Sequence, residues 1–294
     1  MRNVFRTIAF VLVALVAVSG VVAEGTQEGA QEVNLTYVNW EEGVAWTHFF
    51  QTVLEDEMGY DVTITAADVG PAFASVAAGD QDFFMEAWLP GLHEPYFEDG
   101  EYVEVSTIYE DGVTGLIVPQ YMYDDGVTAL SDLRDPEVAE RLDYTITGID
   151  AGAGMMIKTE EILMPEYGLN DMGYELLPSS SPAMLAAMES AIEDEEYIVG
   201  MGWQPHSMFG RFELQILEQD EEQVWPVDDI LILGRPGVEE DLPEVVEFFS
   251  NVMWTNDTIG SLMVHINNSN LDTLEAAREW KNENRDVWEA WLPN

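Results

Sequence analysis

Apolar and polar residues alternate along Val33–Trp40, a β-rich stretch that predicts a first strand. Apolar residues then recur at helical spacing over Glu42–Met58 (Val44, Trp46, Phe49, Phe50, Val53, Leu54), and Gly59 stops the run. Tyr60–Ala66 predicts a second strand, Gly70–Ala78 a short helix broken by Gly79 and Asp80, and Asp82–Trp88 a third strand ending at Pro90. Strands alternating with helices in this order imply an α/β sheet with parallel members. A strand at Gly115–Val118 runs into Pro119. A second α/β series follows: strand Asp143–Ile149, helix Gly152–Met164, strand Tyr174–Leu177, helix Pro182–Glu193, strand Tyr197–Trp203. Asp229–Leu233 reads as a further strand, and Pro243–Met253, Thr255–Asn267 and Leu274–Leu292 carry helical patterns. Two α/β lobes are the economical reading, one from 33–118 plus 235–294 and the other from 119–234. The chain would cross between them near Val118–Gln120 and Leu233–Arg235.

The first residues have a different character. Met1–Ala23 carries Arg2 and Arg6, an apolar run from Ile8 to Val18 and small residues up to Ala23, the pattern of a signal peptide cleaved after Ala23. The run is short for a membrane anchor. Residues 24–32 form a polar spacer with no apolar period. No later run approaches 18 apolar residues, so an exported, soluble, extracytoplasmic (for instance periplasmic) protein is expected.

Composition sharpens this picture. The 294 residues hold 57 Asp and Glu against 10 Lys and Arg, a net charge of −47; losing Arg2 and Arg6 with the leader takes it to −49. Such a surface repels phosphate, which excludes nucleic acid as a natural partner and disfavours anionic membranes. It suits high salt, where self-repulsion is screened within a few Å, and so a halophilic source. With 47% apolar residues and 9 Trp, 11 Tyr and 12 Phe, a substantial core is expected rather than a disordered acidic chain. There is no Cys, hence neither a disulfide nor a lipid anchor on cysteine.

Catalytic signatures are missing. The sequence offers no cysteine nucleophile, no G-x-S-x-G elbow, no phosphate-binding Walker loop and no H-E-x-x-H. His48, His93, His206 and His265 are scattered, and no metal or cofactor site is read from them. His48 and His265 fall on helix surfaces. His206 reads either as a satisfied structural histidine or as support for a site around Trp203. Carboxylates are too abundant for any pair to stand out. Gly148-Ile149-Asp150-Ala151-Gly152-Ala153-Gly154 lacks the full dinucleotide register. Its glycines, lying between a strand and a helix, would expose backbone N–H groups as a cradle for a small anion such as a carboxylate.

Tryptophan placement is more telling. Trp40, Trp88 and Trp203 each stand at the C-terminal end of a predicted strand, the edge at which open α/β sheets bind ligands. Trp46, Trp254, Trp280, Trp288 and Trp291 lie on helical patterns, as core or surface, and Trp225 beside Pro226 is undecided. Three indole faces meeting at a cleft make a box for a quaternary ammonium, which cannot hydrogen-bond but is attracted to ring faces. Box and cradle together describe a site for a zwitterion with a trimethylammonium head and a carboxylate.

The segments Tyr37-Val38-Asn39-Trp40, Ala87-Trp88-Leu89-Pro90-Gly91-Leu92-His93, the 148–154 loop and Gly202-Trp203-Gln204-Pro205-His206 resemble those of the glycine betaine-binding proteins of osmoprotectant ABC importers. The resemblance extends over about Val33–Leu292. It implies a two-lobed periplasmic-binding-protein fold, type II-like, with the ligand cleft between lobes, and a monomeric receptor rather than an enzyme. It puts the family's tryptophan prism on Trp40, Trp88 and Trp203. Its carboxylate-binding histidine falls on His93, and its two backbone N–H donors on Gly154 and Met155. The implied partners are glycine betaine, proline betaine or a related solute, and the membrane permease of the importer. The chain departs from the family at Glu41-Glu42-Gly43, where Asp or Ser-Glu often follows the first tryptophan. An exported α/β hydrolase acting on a small polar substrate is the alternative, and it lacks a visible nucleophile.

Overall fold

The computed structural model describes residues 30–98 and 100–293. The expected signal peptide, 1–23, lies outside the described residues, as does most of the 24–32 spacer. Its last residue, Glu32, opens the first strand instead.

Strand β1 (Glu32–Tyr37) is followed by helix α1 (Glu41–Asp56), β2 (Asp61–Ala66), α2 (Val69–Ala77) and β3 (Phe83–Leu89). β1 lies between β2 and β3 and runs parallel to both. β3 is buried at every position, as expected of a strand covered on both faces. Glu41 and Glu42 fill the first turn of α1, where negative charge complements the helix dipole. The apolar face of α1 carries Trp46, Phe49, Phe50, Val53 and Leu54, all fully buried.

The next strand corrects the sequence reading. β4 runs from Val103 to Pro119, far longer than the expected Gly115–Val118. Its first half pairs antiparallel with β9 (Asp228–Gly234) through a ladder with several register shifts, and its second half pairs with β7 (Gly200–Gln204) and β8 (Leu214–Ile216). The polar Glu110-Asp111-Gly112 run looks like a turn, but here the strand passes from one sheet to the other. Asp111 takes a positive φ of 56°. At Gly112 a side chain would meet the Trp88 ring at 2.6 Å and the Asp228 carbonyl at 2.9 Å, so only glycine allows the crossing. β9 pairs with β3 on its other edge. Pairing thus passes from the first sheet to the second at Gly112/Val113 and is back in the first sheet from Asp228.

The second sheet continues from β7 to β5 (Thr145–Thr147) and β6 (Glu175–Leu177), all parallel. Helix α3 (Gly154–Lys158) follows β5 and continues through a π-helical turn, Thr159–Leu163, into Met164–Glu166. Helix α4 (Ser181–Asp194) follows β6, with the Ser180 hydroxyl capping its N-terminus. The last third forms α5 (Pro243–Ser250), α6 (Asn256–Asn268) and α7 (Thr273–Glu283). The single helix expected over Leu274–Leu292 breaks at Asn284 into α7 and two short turns. Trp254, Trp280, Trp288 and Trp291 from this region are buried against Phe49 of α1. Arg278, Lys281 and Arg285 bind Glu55, Asp56 and Glu57 at the end of α1. Among the described residues no helix is long and apolar enough to cross a membrane.

Candidate ligand site between the lobes

Each of the three expected tryptophans ends a strand at the interface of the two sheets. Trp40 follows β1 by three residues and precedes α1; Trp88 and Trp203 are the penultimate residues of β3 and β7. All three are buried. They come together around a small, nearly shut cavity. The first lobe contributes Trp40, Trp88 and Leu92 to its wall; the second contributes Thr114, Ile149, Ala153, Gly154, Met155 and Trp203. The Trp40 and Trp203 rings stand 6.2 Å apart and are inclined by 54° to each other.

Gly154 and Met155 open α3, where the first N–H groups of a helix have no intrahelical acceptor. Gly154 packs directly on the backbone of Leu92, so the second lobe touches the turn that carries His93. His93 is fully buried but is not part of the cavity wall; it stands behind Trp40, with ring centroids 5.9 Å apart, and stacks on Phe84. The Trp88 N–H donates to His93 Nδ1 at 3.0 Å. Burial pushes the His93 pKa down to about 3, so the ring is neutral and its proton sits on Nε2. That Nε2 has no partner and no solvent access. A buried orphan donor of this kind is costly unless something accepts from it.

Acidic side chains lock the two lobes together around the tryptophans. Trp203 Nε1 donates to both Glu42 oxygens at 2.9 Å, and Trp40 Nε1 to Asp150 at 3.3 Å. The backbone N–H and hydroxyl of Ser207 donate to Glu41 at 2.8 and 2.6 Å, and His206 Nδ1 lies 2.8 Å from the same carboxylate. Burial works against ionisation of Glu41, but the contacts from His206, Ser207 and Asn267 outweigh it and hold its pKa at about 2. Glu42 behaves oppositely. Buried completely beside the equally buried Glu86, it is pushed up to about 8 by desolvation, against the opposing hydrogen bond from Trp203. Burial and the facing Glu42 raise Glu86 as well, although its Oε1 accepts from the Val38 N–H. Burial thus holds both acids toward their neutral forms. Tyr96 adds a further bridge, its hydroxyl donating to the Gly152 carbonyl at 2.9 Å.

The structure therefore brings Trp40, Trp88, Trp203, Gly154 and Met155 onto one cavity, with His93 one layer behind. His206 packs edge-on against Trp203, 4.8 Å between centroids, and supports the site through Glu41. His48 and His265 lie partly exposed on α1 and α6. Trp225 is buried and donates to the Met155 carbonyl. Sequence reasoning missed Leu92, Thr114, Glu42, Glu86 and Asp150. The adjacency of Glu41 and Glu42 to Trp40 was a signal for the acids, hidden by their sheer number elsewhere. Among the described residues no cluster of His, Asp and Glu could hold a metal ion.

Two α/β lobes shut on an aromatic cavity with orphan N–H donors define a two-lobed solute receptor rather than an enzyme. Residues 31–283 match the family model described as the substrate binding domain of ABC-type glycine betaine transport system, and the chain belongs to this family. A glycine betaine/carnitine transport binding protein of Listeria monocytogenes is 35% identical over 155 residues, which cover 53% of this chain and 51% of that protein. The chain thus spans about half the length of that relative. The crystal structure of lactococcal OpuAC, closed and complexed with glycine betaine, superposes with a TM-score of 0.81 at 30% identity, covering 90% of this chain and 100% of that one. The glycine betaine, L-proline-binding protein ProX of Borrelia burgdorferi gives 0.82 at 29% identity, covering 90% and 97%.

Proposed function

We propose that the protein is an extracytoplasmic receptor that binds glycine betaine or a closely similar quaternary-ammonium zwitterion and delivers it to the permease of an ABC importer, in a cell living at high salt. The observation that carries this reading is the pairing of opposite chemistries on one small cavity. Trp40, Trp88 and Trp203 offer ring faces to a cation that cannot hydrogen-bond. At the Leu92–Gly154 contact, the N–H groups of Gly154 and Met155 and the orphan Nε2–H of His93 suit a carboxylate. Family membership supports the transport role, and the structural neighbour holding glycine betaine supports the ligand class. The receptor acts as a monomer, with one cleft per chain.

Tryptophan fluorescence and calorimetry with glycine betaine, proline betaine and choline, in about 1 M NaCl, where the Debye length is about 3 Å, test the proposal. The betaines are expected to bind more tightly than choline, which has no carboxylate. A chain that leaves betaine unbound, or that prefers choline, contradicts it.

A further inference from the structure

The strand that returns from the second lobe to the first holds both halves of the carboxylate end of the cavity at once. Asp228, the first residue of β9, is buried, and its two oxygens accept from the N–H groups of Gly91 at 2.6 Å and Leu92 at 2.8 Å. These are the two residues immediately before His93. The other end of that turn is closed by its own bonds, Trp88 N–H to His93 Nδ1 and His93 N–H to the Trp88 carbonyl. Among the described residues, Asp228 is the side chain that hydrogen-bonds to this turn from elsewhere in the chain. Three residues earlier, Trp225 donates its indole N–H to the Met155 carbonyl at 3.3 Å. Trp225 is itself fixed, because Gln219 accepts from the N–H groups of Val224 and Trp225 and donates to the Trp225 carbonyl. The segment 225–228 thus grips the Leu92–His93 turn of one lobe with one side chain and the first turn of α3 in the other lobe with the second.

We propose that Asp228 and Trp225 are positioning residues for the ligand carboxylate, setting the spacing between the His93 turn and the Gly154–Met155 N–H groups, and that they thereby make the receptor selective for quaternary ammonium solutes that carry a carboxylate. The proposal rests on the betaine reading of the site. Neither Asp228 nor Trp225 is part of the cavity wall that the three tryptophans line. A ligand held by the box alone should be indifferent to them.

The arrangement can be disturbed with little change of volume. In Asp228→Asn one oxygen still accepts an N–H, but an amide N–H₂ now faces the other, so the turn loses half its anchor. Trp225→Phe removes the indole N–H together with the five-membered part of the ring, so its melting curve also reads the packing lost at this buried position. Both variants and the wild type are titrated with glycine betaine and with choline by tryptophan fluorescence, after melting curves establish that they fold. For D228N the expected result is a loss of about tenfold or more in betaine affinity with choline changed less than about threefold, the scale of one hydrogen bond to a charged group. W225F should shift the ratio in the same direction by a smaller factor, about threefold. Equal losses for the two ligands, or no loss of betaine affinity in either variant, overturn the proposal. A wild type that binds no betaine overturns instead the functional reading on which it stands.

Discussion

Replacing Gly154 by alanine would place a methyl group 2.7 Å from the carbonyl carbon of Leu92 and 2.8 Å from its Cβ, with the carbonyl oxygen nearer still. Real Cβ atoms do not approach so closely, so one partner must move. Leu92 cannot retreat without giving up the bond from its N–H to Asp228, and the contact is largely backbone, so no rotamer change relieves it. Overpacking costs about 1–3 kcal/mol, and a rigid partner places this case at about 2–3 kcal/mol. The clash crosses the lobes and exists only while the cleft is shut. Gly154 does not use a positive φ, so the substitution brings no backbone strain of its own. The expected outcome is a 30- to 150-fold loss of betaine affinity, roughly, with the melting temperature of the ligand-free protein unchanged. Calorimetric titration measures the first quantity, and scanning calorimetry with and without ligand the second. The rise in melting temperature on adding ligand should shrink with the affinity. Wild-type binding by the variant would mean that closure does not bring Leu92 onto Gly154. An equal loss of ligand-free stability would assign the contact to the fold rather than to closure.

Alanine at Trp40, Trp88 or Trp203 removes one face of the box, an expected cost of about 2 kcal/mol, or about thirtyfold in titration. Phenylalanine should cost most at 203, whose N–H goes to buried Glu42, less at 40 with its longer bond to Asp150, and least at 88, whose N–H has no partner; a different order contradicts the geometry. The unfolded chain ionises Glu42 near 4.5 while the folded chain keeps its proton up to about 8, so stability should fall as pH rises through that window, by at most about 1.4 kcal/mol per pH unit for one proton. Glu42→Gln should flatten that fall in melts taken across the window, and an unchanged slope refutes the buried, protonated state of Glu42. Folding stability should rise steeply between about 0.2 and 3 M NaCl while betaine affinity in the folded protein stays nearly flat, because the ligand has no net charge; parallel changes in both would refute this separation.

Much of the fold was legible because its elements announce themselves locally. The alternation at Val33–Trp40, the apolar spacing of α1 and the strand–helix order up to Trp88 match the observed β1–α1–β2–α2–β3 to within a few residues. β4 was not legible over most of its length. A strand that changes sheets in its middle must shed its pairing there, and the residues that permit this, Asp111 and Gly112, are those that normally mark a turn. The change of sheet lies inside this strand and not in a loop, where local pattern gives no sign of it. At the site, the strand-end tryptophans and the glycine loop could be found because their positions follow from the sheet. The pairing of Leu92 with Gly154 could not, because it depends on how two separately folded lobes meet.

Acidic residues illustrate the same limit from the other side. With 57 of them in the chain, no carboxylate could be singled out by sequence, and most serve only the surface. Contacts around the site separate four of them. Glu86 and Glu42 are fully buried, Glu41 ties α1 to the residues after β7, and Asp228 holds the turn before His93. Each is accommodated differently: Glu86 and Glu42 by leaning toward their neutral forms, Glu41 by three side-chain donors and a backbone N–H, and Asp228 by two backbone N–H groups. None relies on a surface cation, and the described cations cluster elsewhere, with Arg278, Lys281 and Arg285 fastening the C-terminal helices to α1. Such compensation is local and dry, hence insensitive to ionic strength. The groups around the cavity are thus held by contacts that surrounding salt does little to screen, whatever the excess of acidic residues at the surface.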